Sequence, residues 1–398
     1  MSAQKQTKTK VGILSLSLLS MVTVGLNTGL FAIQQAFPEA GALLIQILAN
    51  TMSITVIFVS LFVNRIYQRF TRKRTVLIGE GILVLTALTA LVYHSSIYCV
   101  MCYSALTGIS AALILPAVGS AIIDCFEAPY RARLSGWQSI LSSVGGIWFS
   151  LLGGFLAGIK WYALYLIFLL AVPVAVLTVC MYPKDQNKPA GKKAEDTKGR
   201  NVHKIMIKYG LIAIAYVVTF GVFMANIAMF IAEEKIGTQA QAGWIGALSM
   251  LGGMLGGLAF RRLYVRLGRG IFVLTFAGAA VGQMLLFFTG GLSGCAAAGL
   301  LIGMCQSIHM PSCLLALGEE AGREQSVSAA LIVSCIAANV GTLISPILFT
   351  GVGNLIFGGN IRPRFLMAGI FALSMAAGMF TAYKKGTRQM PAANESMG

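Results

Sequence analysis

Charge is scarce in this chain, and acidic charge scarcest. Of 398 residues only 11% are charged, with 13 Asp and Glu against 30 Lys and Arg. A soluble globular chain carries about 25% charged residues, so a water-soluble fold is excluded. Histidine is rarer still, and His94, His203 and His309 stand far apart. An enzyme would need His, Asp or Glu gathered at one surface, and no phosphate-binding glycine loop is present, so the composition speaks against catalysis. The eight cysteines are scattered, nearly all in apolar stretches, and Cys99-x-x-Cys102 has no second pair or histidine beside it. They read as small packing residues, and neither a metal nor a cofactor is expected. No apolar stretch has a Lys or Arg at its centre. A solute carboxylate or phosphate would therefore meet no fixed cation.

What fills the chain instead is apolar: 57% of it is hydrophobic. Twelve apolar stretches are expected at 11–36, 39–63, 75–94, 97–122, 135–159, 161–182, 205–232, 240–260, 270–290, 293–317, 327–357 and 364–383. Each is long enough to cross a hydrocarbon core of about 30 Å as a helix, and none shows the residue-by-residue alternation of a membrane barrel. Every second loop is basic, and all Lys and Arg except Lys160, Lys235, Arg362 and Arg364 fall on one side. Cytoplasmic loops keep Lys and Arg during insertion. This predicts a multi-pass protein of the plasma (inner) membrane with both termini cytoplasmic. The first stretch follows lysines as a signal peptide does, but it lacks a small-residue cleavage site and suits an uncleaved span. The net charge of +17 then belongs to loops that set topology and meet anionic lipid, so no nucleic-acid partner is expected.

A lysine-rich polar segment with Pro183, Pro189, Gly191 and Gly199 divides the spans six and six. The expected divisions are a tail at 1–10, a six-helix bundle at 11–182, a linker at 183–204, a second six-helix bundle at 205–383 and a tail at 384–398. The halves echo each other. Arg69-Phe70-Thr71-Arg72 parallels Arg266-Leu267-Gly268-Arg269, Pro116 parallels Pro311, and Gly145 parallels Gly341, at offsets of 197, 195 and 196. Such near-equal offsets predict an internal repeat in one orientation. Two such halves rocking about a central site is an arrangement of secondary transporters.

The stretch Asn64 to Arg74, the run Glu127-Ala128-Pro129-Tyr130-Arg131-Ala132-Arg133-Leu134-Ser135-Gly136-Trp137-Gln138-Ser139, Gly145, Gly153-Gly154 and Trp161-Tyr162 carry a resemblance. Together they resemble the major facilitator superfamily, and within it the bacterial sugar and multidrug efflux branch, over nearly the whole chain. The resemblance implies an all-α membrane protein with 12 transmembrane helices in two six-helix bundles. It also implies a secondary active transporter working outward by alternating access, and the lack of a central Lys or Arg in any span makes its expected cargo a small neutral or lipophilic solute (a sugar, drug or metabolite). A nutrient-uptake carrier of the same fold and a polytopic membrane enzyme or sensor are the competing readings. The expected partners are the small-molecule substrate, a coupling proton and membrane lipid, with the chain acting as a monomer.

The chain also departs from the family pattern. Asn64, Gln68 and Thr71 stand where the loop motif has glycine, aspartate and glycine, and Val265 replaces the aspartate of the second copy. The charge relay built on that aspartate is accordingly not expected. Ser104 aligns with the arginine of proton-coupled exporters and Phe149-Ser150 with the glycine-proline of antiporters, so motif gives proton antiport no support.

Polar residues within spans are costly, and each is either partnered or functional. The resemblance implies that spans 1, 4, 7 and 10 line the cavity, which selects Asn27, Phe31, Asn226, Gln306 and His309 as substrate-binding residues midway across the membrane. Gln306 and His309 lie three apart and hence on one helical face, just before Pro311. Arg69, Arg72, Arg131, Arg266 and Arg269 are the expected gating residues, meeting helix C-termini and nearby acids. Glu80, the one acid well inside a span, and His309 are the candidates for proton coupling, with structural pairing to the Arg72–Arg74 cluster the plainer reading of Glu80. Gly252-Gly253 and Gly256-Gly257, like Gly145-Gly146 and Gly153-Gly154, give spacings that permit close helix approach. They are expected at a sliding contact between the halves.

Overall fold

The structure is a computed structural model that describes residues 3–22, 33, 36–39, 42–183, 199–237, 239–322, 326–358 and 360–388. Every element among them is helical. Helix α1 (Ala3–Ser15) tightens into a 3-10 turn at Leu16–Met21. Then come α2 (Ala42–Arg69), α3 (Arg72–Val92), α4 (Ile97–Cys125) and α5 (Ala128–Ile159). A 3-10 segment Trp161–Leu170 leads into α6 (Ala171–Met181), followed by α7 (Gly199–Glu233) and α8 (Gln239–Leu267). A short turn, Gly268–Gly270, precedes α9 (Ile271–Phe288), and α10 (Leu292–Ala321) follows. The next stretch alternates α11 (Ser326–Ala330), a π segment Leu331–Ala337, α12 (Ala338–Ser345), a π segment Pro346–Gly351 and α13 (Val352–Phe357) before α14 (Arg362–Arg388).

Among the described residues, nine helical stretches are long and apolar enough to cross a membrane. One of them, Gly243–Phe288, has 46 residues, about twice what one crossing needs. The expected first span runs through residues outside the described set.

The ends of these helices follow local chemistry. Thr71 sits extended before α3 and its hydroxyl accepts from the Arg74 N–H; Ser96 does the same for α4 through Tyr98. The second copy of the basic loop turns differently: Gly268 takes φ +50, a conformation that a side chain resists. Thr71, at the matching place in the first copy, is an N-cap instead. Inside the spans, hydroxyls bond back to the carbonyl four residues earlier, as Thr107 does to Tyr103 and Ser312 to Ile308. This satisfies them where no water is at hand.

The contacts divide into two units, Met1–Ile214 with Cys313–Leu343, and Ala215–Ser312 with Ile344–Gly398. In the first, α4 is central and largely buried, packed against α2 and α3. The α11 turn and the Leu331–Ala337 segment lie on α4 as well. In the second, α9 runs along α14, and α8 meets α10 through glycines. A Cβ at Gly252 or Gly256 would strike the Leu300 or Met304 carbonyl, and one at Gly303 would strike that of Ser249. The glycine pairs were expected between the halves. They lie instead within the second half, and Gly145 likewise meets the Leu18 backbone within the first. Lipid tails are as apolar as leucine, so helices within one bundle gain contact by bringing backbones close.

Candidate functional site

The basic end of the first unit is a closed polar layer. Arg72 pairs with Asp124 at 2.7 Å, and its other terminal nitrogen donates to Ser120 at 3.3 Å. Both charged chains are half-buried at the C-terminal end of α4. The acid that the loop motif lacks at Gln68 is thus supplied by a different helix. Arg131 is buried and its Nε donates to the Phe126 carbonyl at 2.8 Å, bracing the α4–α5 turn. Lys10 donates to the Tyr130 hydroxyl, which holds that phenol's pKa below its ordinary value.

Elements from both halves of the sequence close this end. Asn64 of α2 donates to Ser328 of α11 at 3.3 Å. Gly119 of α4 faces the side chains of Leu314 and Ala330, and Gly318 of α10 faces Ile123. Tyr209 donates to Glu320 at 2.6 Å, with Lys208 at 3.5 Å. Small residues let the backbones of α4, α10 and α11 approach, and the hydrogen bonds then register them.

The second unit carries two arginine anchors at the start of α14. Arg364 is buried at the start of α14 and donates to Asn226 Oδ1 at 2.6 Å and Asn354 Oδ1 at 2.8 Å. Arg362 pairs with Glu234 at 2.9 Å and donates to the Phe287 carbonyl at 3.0 Å. The Arg362 hydrogen bond holds the Glu234 carboxyl below the usual carboxylate range.

His309 is buried in an aromatic nest within the second unit. Its ring stacks on Tyr216 at 4.0 Å, meets Phe272 and Phe276 edge-on, and shares a 2.8 Å hydrogen bond between Nδ1 and the Thr275 hydroxyl. Which atom donates depends on the tautomer. Gln306, one turn earlier, is partly exposed, and its Oε1 has no hydrogen-bond partner among the described residues.

The residues picked from sequence have different surroundings where the structure describes them. Asn27 and Phe31 lie outside the described residues. Asn226 is held by Arg364 and by its own bond to the Val222 carbonyl, and His309 is enclosed by aromatics. Gln306 keeps an unsatisfied acceptor. Of the gating arginines, Arg72 and Arg131 are engaged at the basic end, while Arg69, Arg266 and Arg269 are exposed. Glu80 pairs with Thr178 at 2.9 Å; the expected partners Arg72 and Lys73 go instead to Asp124 and to the Val179 carbonyl. Sequence reasoning missed Asp124 as the partner of Arg72, and it missed Arg364 as a buried group. A signal existed for the second: Arg362-Pro363-Arg364 opens an apolar helix, where a nearby Asn can satisfy the guanidinium. Among the described residues no three His, Cys, Asp or Glu side chains gather as a metal site would require.

Comparison with known proteins agrees on the fold. The family model of the Major Facilitator Superfamily matches residues 13–346. Multidrug resistance protein 2 of Bacillus subtilis (strain 168) is 24% identical over 370 residues, covering 87% of this chain and 88% of that protein. The crystal structure of the E. coli fucose:proton symporter matches with a TM-score of 0.69 and 18% identity, over 94% of this chain and 98% of that one. A proton:xylose symporter bound to 6-bromo-6-deoxy-D-glucose matches with a TM-score of 0.74 and 13% identity, over 96% of each chain.

Proposed function

The chain belongs to the major facilitator superfamily, and from that premise we propose that it is a secondary active transporter exporting a small neutral or lipophilic solute by alternating access. The observation that carries the reading is the layer at the basic end, where Asn64–Ser328, Gly119–Leu314 and Gly318–Ile123 bring α2, α4, α10 and α11 together. It joins helices by small residues and single hydrogen bonds, so it can part without a large cost. The basic side is the cytoplasmic one in this reading, as its Lys and Arg require. The twelve spans form two six-helix bundles in a monomer, in contact with membrane lipid.

The solute class follows from what the buried cations already hold. Arg364 is engaged by Asn226 and Asn354, which leaves little for a substrate anion. Asn27, Phe31 and Gln306 are proposed as solute contacts, with Gln306 Oε1 the polar acceptor. Within the second unit, Asn226 is held by Arg364 and His309 is stacked on Tyr216. Outward direction is favoured by the multidrug relative. The symporters of like fold are too distant in sequence to carry a substrate.

The test is transport in proteoliposomes of fixed orientation, with a lipophilic dye and a labelled hexose offered in turn under an imposed proton gradient. Extrusion of the dye or the hexose away from the basic face is expected. Accumulation of either toward the basic face would replace export by uptake, and selective transport of a dicarboxylate would overturn the solute class.

A further inference from the structure

A groove runs along the first unit between α3 and α6, walled by exposed apolar side chains. It has a volume of about 570 Å³, and its walls include Leu85, Leu88, Val172, Val176 and Val179, all exposed. One polar side chain lines it, that of Glu80, which is fully buried. Oε1 of Glu80 accepts from Thr178, whereas Oε2 has no hydrogen-bond partner among the described residues. Lys73, on the same helix, is turned away and donates to the Val179 carbonyl at 2.5 Å. Glu80 stands eight residues into α3 from Arg72, about 12 Å along the helix axis at 1.5 Å per residue, which on the topology proposed above lies below the headgroup level on the basic side.

An acid inside a span ordinarily faces the bundle interior or pairs with a cation. This one is buried at the floor of an apolar groove, with half its carboxyl unmatched among the described residues. We propose that the groove binds a lipophilic amine from the leaflet on the basic side, its ammonium donating to Glu80 Oε2 and its apolar body lying along Leu85, Leu88, Val172 and Val176. Charge complementarity selects the amine over a neutral lipid tail, and depth selects it over a lipid headgroup, which stays nearer the surface. The site is separate from the residues proposed for the transported solute, and it stands whichever direction transport takes.

The test uses the full chain in phosphatidylglycerol vesicles with a dodecylamine bearing a terminal benzophenone, and the matching dodecanol as its neutral twin. After illumination, cross-links are mapped by mass spectrometry. Amine labelling on α3 and α6 is expected to exceed alcohol labelling about tenfold, as for a charge pair removed from water. It should fall by a similar factor in Glu80→Gln. Val176→Trp fills the groove from its exposed wall and leaves the Glu80–Thr178 bond in place, so it decides the matter even should Glu80→Gln fail to fold; labelling should be lost there too. Equal labelling by the alcohol, or full labelling of Val176→Trp, overturns the proposal. So does loss of labelling when the vesicles are changed to phosphatidylethanolamine, which would assign the groove to a lipid headgroup.

Discussion

Removing the Arg72–Asp124 pair should loosen the basic end by a measurable amount. The two side chains are 23% and 25% exposed and meet at 2.7 Å. Fully exposed pairs contribute about 0.2–1 kcal/mol, and hydrogen bonds to charged groups about 1.5–3 kcal/mol. A half-buried pair that also holds Ser120 falls between, at about 1–1.5 kcal/mol in favour of the closed layer. That corresponds to about a five- to tenfold rise in the open fraction when it is lost, since about 1.4 kcal/mol is tenfold. The readout is the maleimide labelling rate of Ser328→Cys from the basic side, in a background with Cys99, Cys102, Cys125 and Cys180 replaced. Asp124→Asn and Arg72→Gln should each raise the rate about five- to tenfold, and the double variant should add little more, because one interaction has been removed rather than two. Rates within about twofold of the parent in both single variants would refute the reasoning. Fully additive effects would show that the two side chains act apart.

Further outcomes follow from other contacts. Gly303→Ala places a Cβ against the Ser249 carbonyl and should cost about 1–3 kcal/mol by overpacking, whereas Gly246→Ala, which meets open space, should leave the melting temperature nearly unchanged. His309→Leu loses the Thr275 hydrogen bond and the Tyr216 stack, so it should lower stability by about 1–2 kcal/mol; Gln306→Ala should instead weaken solute binding at unchanged stability, and the reverse pattern in melting and binding would place the site at His309. Glu234 has a depressed folded pKa because Arg362 donates to it. Its contribution is therefore present above the unfolded carboxylate value of about 4.3 and lost as pH falls through the lower folded value. A wild-type advantage over Glu234→Gln of under about 1 kcal/mol, seen in melting at neutral pH, should vanish in strong acid.

Much of this protein was legible in its residues one after another. The scarcity of charge and the length of the apolar stretches each depend only on local composition, because the bilayer reads hydropathy segment by segment. Helix ends obey local chemistry too, since Thr71 and Ser96 cap from within one turn. Partners were not. The acid for Arg72 lies on α4 rather than at Gln68, the hydroxyl for Glu80 lies on α6 at Thr178, and the amide for Arg364 lies on α7 at Asn226. Nothing within a turn of these residues names the group they meet.

The glycines show the same division. Their spacing announced a close helix contact, and a contact is where they are found, but which helix comes close was decided by how α8 and α10 cross. His309 was expected at the cavity because the family resemblance puts its helix there; that Tyr216, Phe272 and Phe276 pack around its ring could not be read from its neighbours in sequence. In a membrane every chain segment is already apolar, so hydrophobicity sorts segments from loops and then says nothing about which faces meet. That choice belongs to shape and to the few polar groups that must find one another across helices, and only the tertiary structure makes it.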